Sequence, residues 1–179
     1  IYLSNVQTIG YSGLNNTFKN SNIIEAKISG TINGDSALYY VFSNNFNFKK
    51  VDFSGLTSMS GKNVCYNAFN GTALEYVSFP DLTMLSGENP LYCAFQNVLT
   101  LKTVIFPALT TISEDAFGNM LKGVERCTVV FPAALESTIT SFSSYSSGFS
   151  GTNTKVVFND MKLLPVTIPT GNKVWWNNL

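Results

Sequence analysis

The chain has 179 residues, 45% of them apolar and only 12% charged, with 11 Lys plus Arg balanced by 11 Asp plus Glu and no histidine. Its length lies within single-domain range, its charged fraction is about half the usual quarter, and balanced signs give none of the basic striping of a nucleic-acid binder. Without histidine, neither a Ser-His-Asp or Cys-His catalytic site nor a His-dependent zinc site can be assembled.

One short phrase recurs along the chain. With the Val of a V-x-F element as anchor, the positions are Ile1, Ala26, Val51, Val77, Val104, Val129 and Val156, in steps of 25, 25, 26, 27, 25 and 27 residues. Two residues after each anchor stand Leu3, Ile28, Phe53, Phe79, Phe106, Phe131 and Phe158. Ile23, Phe48, Leu74 and Leu101 precede their anchors by three residues, whereas the next two repeats offer Arg126 and Asn153. After the strand, Val6 and Ile9 correspond to Leu56 and Met59, Leu82 and Leu85, and Leu109 and Ile112. An aromatic then recurs as Phe18, Phe42, Phe69, Phe95, Phe117 and Phe149.

Side chains alternate faces along a strand, so each anchor and its partner two residues on point inward, where the next coil covers them. A period of 20 to 29 residues with this L-x-x-L-x-L arrangement marks a leucine-rich-repeat solenoid. The expected fold is a right-handed superhelix with one parallel β-sheet face and short helical or irregular arcs. It occupies residues 1–158 in about six coils, with strands near residues 26–28, 51–53, 77–79, 104–106, 129–131 and 156–158. The 14 Phe and about 20 Asn suit aromatic core layers and many turns better than a helix bundle. Glu114-Asp115, just before Ala116-Phe117, reads as the first turn of a short helix, where acids favour the dipole.

The period breaks near the end: Val166 follows Val156 by ten residues, too few for a coil. Residues 159–179 therefore read as a cap, with Lys155 to Asn159 and Val166 to Ile168 as adjacent strands or a hairpin. Trp175 and Trp176 either plug the last core layer, as solenoid ends require, or stack on sugar rings. Cys65, Cys93 and Cys127 are too few for a disulfide scaffold and lack metal-ligand spacing. Cys65 and Cys93 lie in successive arcs out of register, which leaves buried packing thiols or one bridge. No 18-residue apolar run predicts a spanning helix, and no signal segment precedes Ile1. A chain that opens on a strand anchor without Met reads as a piece of a longer protein.

The segments Val77-Ser-Phe79-Pro80-Asp-Leu82-Thr83-Met-Leu85 with Ala94-Phe95, and Leu101-Lys-Thr-Val104-Ile-Phe106-Pro-Ala-Leu109-Thr-Thr-Ile112 with Ala116-Phe117, carry a family likeness. They resemble the BspA-like leucine-rich repeats of bacterial cell surfaces, over roughly residues 1 to 158. Val129-Val-Phe131-Pro132 and Ala26-Lys-Ile28 are weaker copies. The resemblance implies extracellular display and binding of host or neighbouring-cell proteins. It carries no catalytic residues, because the motif consists of core positions.

Binding is therefore expected on the outward strand positions. Tyr2, Lys27, Asp52, Ser78, Ile105, Val130 and Val157 follow the anchors, and Glu25, Lys50, Tyr76, Thr103, Thr128 and Lys155 precede them. The first half of this face is charged and aromatic, the second neutral and partly apolar. Ile105, Val130 and Val157 there read either as strand propensity or as an exposed apolar contact patch. The pair Lys49-Lys50, with Asp52 nearby, reads as a solvated face. These features point to a non-catalytic protein-binding module requiring no cofactor and no metal, and the resemblance implies an adhesion role with an extracellular or host protein as partner. The alternative is a carbohydrate-binding module, with a glycan as partner, in a larger secreted or cell-wall protein.

Overall fold

The computed structural model describes residues 1–3, 6–143 and 145–159. Coils of about one repeat each stack as a β-solenoid of about six turns. The first three turns contribute β1 (Tyr2–Leu3), β2 (Thr8–Ile9), β3 (Glu25–Ile28), β4 (Gly30–Ile32), β5 (Lys50–Asp52) and β6 (Leu56–Met59). The rest contribute β7 (Tyr76–Ser78), β8 (Met84–Leu85), β9 (Thr103–Ile105), β10 (Thr111–Ile112), β11 (Thr128–Pro132) and β12 (Lys155–Asn159). All described pairings are parallel and join successive coils.

The anchors build the first face as their spacing predicts: Ala26 pairs with Val51, Val77 with Val104, and Val129 with both Val104 and Val156. The single sheet expected there is instead two, β1-β3-β5 and β7-β9-β11-β12. β5 and β7 lie beside each other without a ladder between them. A second face was not foreseen: β2, β4, β6, β8 and β10 form their own five-stranded parallel sheet. Its strands share the inward apolar row Ile9, Ile32, Met59, Leu85 and Ile112, and β6 buries Leu56 as well.

Aromatic columns fill the interior. Phe53, Phe79, Phe106 and Phe131 have no exposed surface, and successive rings stack at centroid distances of 4.4, 4.9 and 5.1 Å. The column continues to Phe158 at 5.9 Å. A second column runs Phe18, Phe42, Phe69, Phe95 at 5.4 to 5.7 Å. Phe117 does not extend it. Leu91 N–H donates to Ala116 C=O and Phe95 N–H to Met120 C=O, so Leu121 stands opposite Phe95 and Phe117 opposite Leu91. Phe117 instead packs obliquely against Phe106 and Phe131.

The arcs are chains of linked turns. Ser12, Leu14, Asn16, Phe18 and Asn20 donate their N–H groups to Asp35, Ala37, Tyr39, Val41 and Ser43 of the next coil at 2.8–3.0 Å. The residues between them, Gly13, Asn15, Thr17 and Lys19, donate to the carbonyl three residues back. Later arcs repeat the alternation. A left-handed residue at every fourth position re-aims the backbone, and this explains the Asn content, because Asn tolerates that region better than most side chains. The left-handed rows are Ser12, Ser36, Asn63 and Asn89, then Asn16, Tyr40, Asn67, Cys93 and Asn119, then Asn20, Asn44, Gly71, Asn97 and Gly123. Coils also close tightly at a glycine column, where a Cβ on Gly61 would strike the Gly34 carbonyl.

Residues 114–123 are such a turn chain, not the short helix expected at Glu114-Asp115. Helix appears where the repeat frays: a 3-10 turn (Ala133–Leu135) leads into α1 (Glu136–Thr140), and α2 (Tyr145–Gly148) follows. Leu135 and Ile139, four apart and therefore on one helical face, bury there. The strand Lys155 to Asn159 is observed. The remainder of the expected cap, with Val166 to Ile168, Trp175 and Trp176, lies outside the described residues.

Candidate functional site: the outward strand face and its seam

Strand register sets the outward rows side by side. Tyr2 pairs with Lys27 and Lys27 with Asp52, while Glu25 pairs with Lys50. Opposite charges on adjacent strands then meet. Lys27 Nζ lies 2.9 Å from Asp52 Oδ2, Lys50 Nζ lies 3.9 Å from a Glu25 carboxylate oxygen, and the Tyr2 hydroxyl donates to Glu25. Partial burial alone would raise the Asp52 pKa, but hydrogen bonds from Ser54 and the Lys27 ammonium outweigh it and hold the carboxyl below its ordinary value. Lys27 is thus committed to Asp52, whereas Lys50 reaches Glu25 only at 3.9 Å with both side chains exposed and Lys49 is exposed, as a solvated pair would be.

The second half continues the rows but not their expected exposure. Ser78, Ile105 and Val130 align, as do Tyr76, Thr103 and Thr128, and beyond them Val157 and Lys155. Ile105 and Val130 are only 6% and 5% exposed and Ser78 8%, so no open apolar patch exists there. Ile105 and Val130 have in-register neighbours on both sides, and half-buried Tyr76, Thr103 and Thr128 adjoin the three along their own strands. Val157 is half-buried. Tyr2 and Lys155, at opposite ends of the rows, are exposed.

The break between β5 and β7 opens a cleft of about 310 Å³, lined by Lys49, Lys50, Val51, Ala73, Glu75, Tyr76, Ser78 and Thr100. Three predicted face residues, Lys50, Tyr76 and Ser78, therefore meet in one concavity. The slit is bounded. Ala73 N–H reaches Phe48 C=O at 3.0 Å on one side, and Thr83 N–H reaches Thr57 C=O at 3.0 Å on the other. Near the latter, the Asp81 carboxylate accepts from Gly55 N–H at 2.7 Å. Beneath it the 4.4 Å stack of Phe53 on Phe79 holds the two sheets together. Sequence reasoning missed the opening because anchor spacing is nearly uniform across it.

The arcs carry a tyrosine column that the strand-centred reading passed over. Tyr39, Tyr66 and Tyr92 stack at 4.8 and 5.4 Å, within 12° of parallel, and Tyr92 packs over Gly118, where a Cβ would meet its ring. Sugar platforms need open ring faces. Here the faces are spent on neighbouring rings, and the hydroxyls of Tyr40 and Tyr92 accept from Asn67 and Asn119 at 3.1 and 3.0 Å.

Cys65, Cys93 and Cys127 are free and buried, so the Cys65–Cys93 bridge is not formed. Burial pushes the Cys65 and Cys127 thiols up to about 12, which leaves them unreactive at neutral pH. Glu114 accepts hydrogen bonds from the hydroxyl and N–H of Ser143, which hold its pKa below the ordinary carboxylate value. Among the described residues no group of three or more Cys, Asp or Glu is placed to hold a metal ion, and no helix is long and apolar enough to cross a membrane. Comparison with family models, curated proteins and solved structures returned no match.

Proposed function

We propose that this chain is a non-catalytic binding module, a surface adhesion or protein-recognition solenoid whose partner engages the first half of the outward strand face and the adjoining cleft. The carrying observation is the convergence of Lys50, Tyr76 and Ser78 on that cleft, next to the Lys27–Asp52 and Glu25–Lys50 pairs. The register-fixed Lys27–Asp52 pair suits recognition because part of its side-chain freedom is already given up before docking. The carboxylates of this face are matched to lysines rather than to each other, which is poor for the acid–base pairing of a glycosidase. Assignment to the BspA-like leucine-rich repeats, with right-handed winding, bacterial origin and display outside the cell, rests on the Val77 and Val104 motifs and belongs to this proposal. So does an extracellular or host protein as partner. The tyrosine column offers a glycan little open ring face, and the sugar alternative rests on Trp175 and Trp176, outside the described residues.

The test is selection of displayed peptides on the immobilised chain, followed by hydrogen exchange to find where binders protect the backbone. Protection at residues 25–28, 50–55 and 74–79, lost with the double change Lys27→Glu and Lys50→Glu, supports the reading. Binders that protect only the arcs and tolerate both changes refute it.

A further inference from the structure

Among the described strands of the first face six steps connect successive strands, and five carry a hydrogen-bonded ladder. The exception, between β5 and β7, is specific in what it leaves unmade. One step earlier Lys49 N–H donates to Ile24 C=O at 2.9 Å, and one step later Lys102 N–H donates to Glu75 C=O at 2.9 Å. The equivalent bond from Glu75 N–H to Lys49 C=O is missing among the described residues. At the other strand end Phe79 N–H donates to Ile105 C=O at 2.9 Å and Phe106 N–H to Val130 C=O at 3.0 Å. The equivalent from Phe53 N–H to Ser78 C=O is missing too.

Backbone groups that the flanking steps bond between strands are therefore left without those bonds at the cleft, among them the Glu75 and Phe53 N–H donors and the Lys49 and Ser78 C=O acceptors. Such groups are costly to leave unmet, and they match the donors and acceptors of another peptide backbone. The charge at the cleft narrows the choice. Lys49 and Lys50 face it against one carboxylate, Glu75, and Lys49 is exposed and within 4.0 Å of no described carboxylate. A volume of about 310 Å³ suits one side chain with its peptide groups, not a folded domain edge.

We infer that the β5–β7 cleft is a subsite for an acidic side chain on an extended peptide. The Glu or Asp carboxylate sits against Lys49 at the rim, and the flanking peptide groups bond to Glu75 N–H and Lys49 C=O. The inferred occupant is an internal residue, and a chain terminus is the alternative that the test separates from it. The inference rests on the strand-face reading and names the chemistry its partner brings.

The probe is the blocked tripeptide acetyl-Ala-Glu-Ala-amide, titrated into the ¹⁵N-labelled full chain. Its Gln counterpart and the free acid acetyl-Ala-Ala serve as comparison arms. Saturable amide shifts should centre on Phe53, Glu75, Tyr76 and Ser78. The Gln peptide should bind about three- to fivefold more weakly, the range expected for a rim ion pair. Lys49→Gln should cost the Glu peptide a similar factor while leaving the thermal midpoint unchanged, and Glu75→Gln should strengthen it. Equal binding of Glu and Gln peptides, shifts centred elsewhere, or no shifts would overturn the inference. So would tighter binding of the free acid, which would assign the cleft to a chain terminus. If the peptides fail while selected binders still protect the strand face, this inference falls and the binding-module reading stands. Protection confined to the arcs removes the reading itself.

Discussion

Truncation of Phe79 isolates what joins the two sheets of the first face. Its ring is fully buried, stacked on Phe53 at 4.4 Å and on Phe106 at 4.9 Å, and the Phe53 contact crosses the one step among the described strands of this face that lacks a ladder. Phe79→Ala removes roughly 100 Å³ of side chain. At about 24 cal/mol per Å³ of unrelaxed cavity, added to about 2 kcal/mol of lost transfer energy, the expected cost is about 4 kcal/mol. Phe106→Ala should cost about the same, since that ring is equally buried between Phe79 and Phe131. The two variants should differ in cooperativity. Ladders flank the Phe106 coil on both sides, so urea unfolding should stay a single transition, whereas Phe79→Ala should broaden or split it as the sheets uncouple. Circular dichroism and Phe-region absorbance followed on the same samples would show this. A loss below about 1 kcal/mol, or equal broadening in both variants, would refute the staple argument.

Asp52→Asn should cost under about 1 kcal/mol at neutral pH, because Lys27 and Asp52 are each about a quarter exposed and such pairs are weak. The Asp52 pKa is lowered on folding, so its contribution is complete above the unfolded value of about 3.9 and disappears as pH falls through the lower folded value. Urea midpoints of wild type and variant should therefore converge in acid. Native protein should react slowly with a thiol reagent at pH 8, Cys93 (6% exposed) ahead of Cys65 and Cys127 (0% and 1%), with all three labelled at once in urea. Equal native rates would contradict the burial. Asn97 has φ of 58°, so Asn97→Ala should cost about 1 kcal/mol and Asn97→Gly much less. Equal thermal midpoints for those two variants would argue against the left-handed turn chain.

The anchor rows were legible because burial on both sides constrains residue type: Val77, Phe79, Val104 and Phe106 sit between coils and tolerate little else. The second sheet was not, because its strands are two to four residues long and only β6 commits more than one apolar residue inward, where β4 has Ile32 alone. A spacing of four in Asn16 and Asn20, or Asn63 and Asn67, was a visible signal of the turn chain. Phe117 was misaligned because residue type was matched without counting along the arc. On the candidate site, sequence identified which side chains share the face. It could not show that Ile105 and Val130 are enclosed or that β5 and β7 part, since both depend on sub-ångström placement of neighbouring coils.

The alternating arcs give the solenoid a direction. Along every arc the inter-coil N–H groups point toward later coils, so the carbonyls of Tyr11, Gly13, Asn15, Thr17 and Lys19 in the first coil are the counterparts of those that accept bonds in the second. The strand steps mix both directions, as in Lys27 N–H to Ile1 C=O and Phe79 N–H to Ile105 C=O, so the arcs alone give the stack its polarity. A coil turned over within the stack would set arc donors against donors on one side and acceptors against acceptors on the other, so the arcs admit coils in one orientation only.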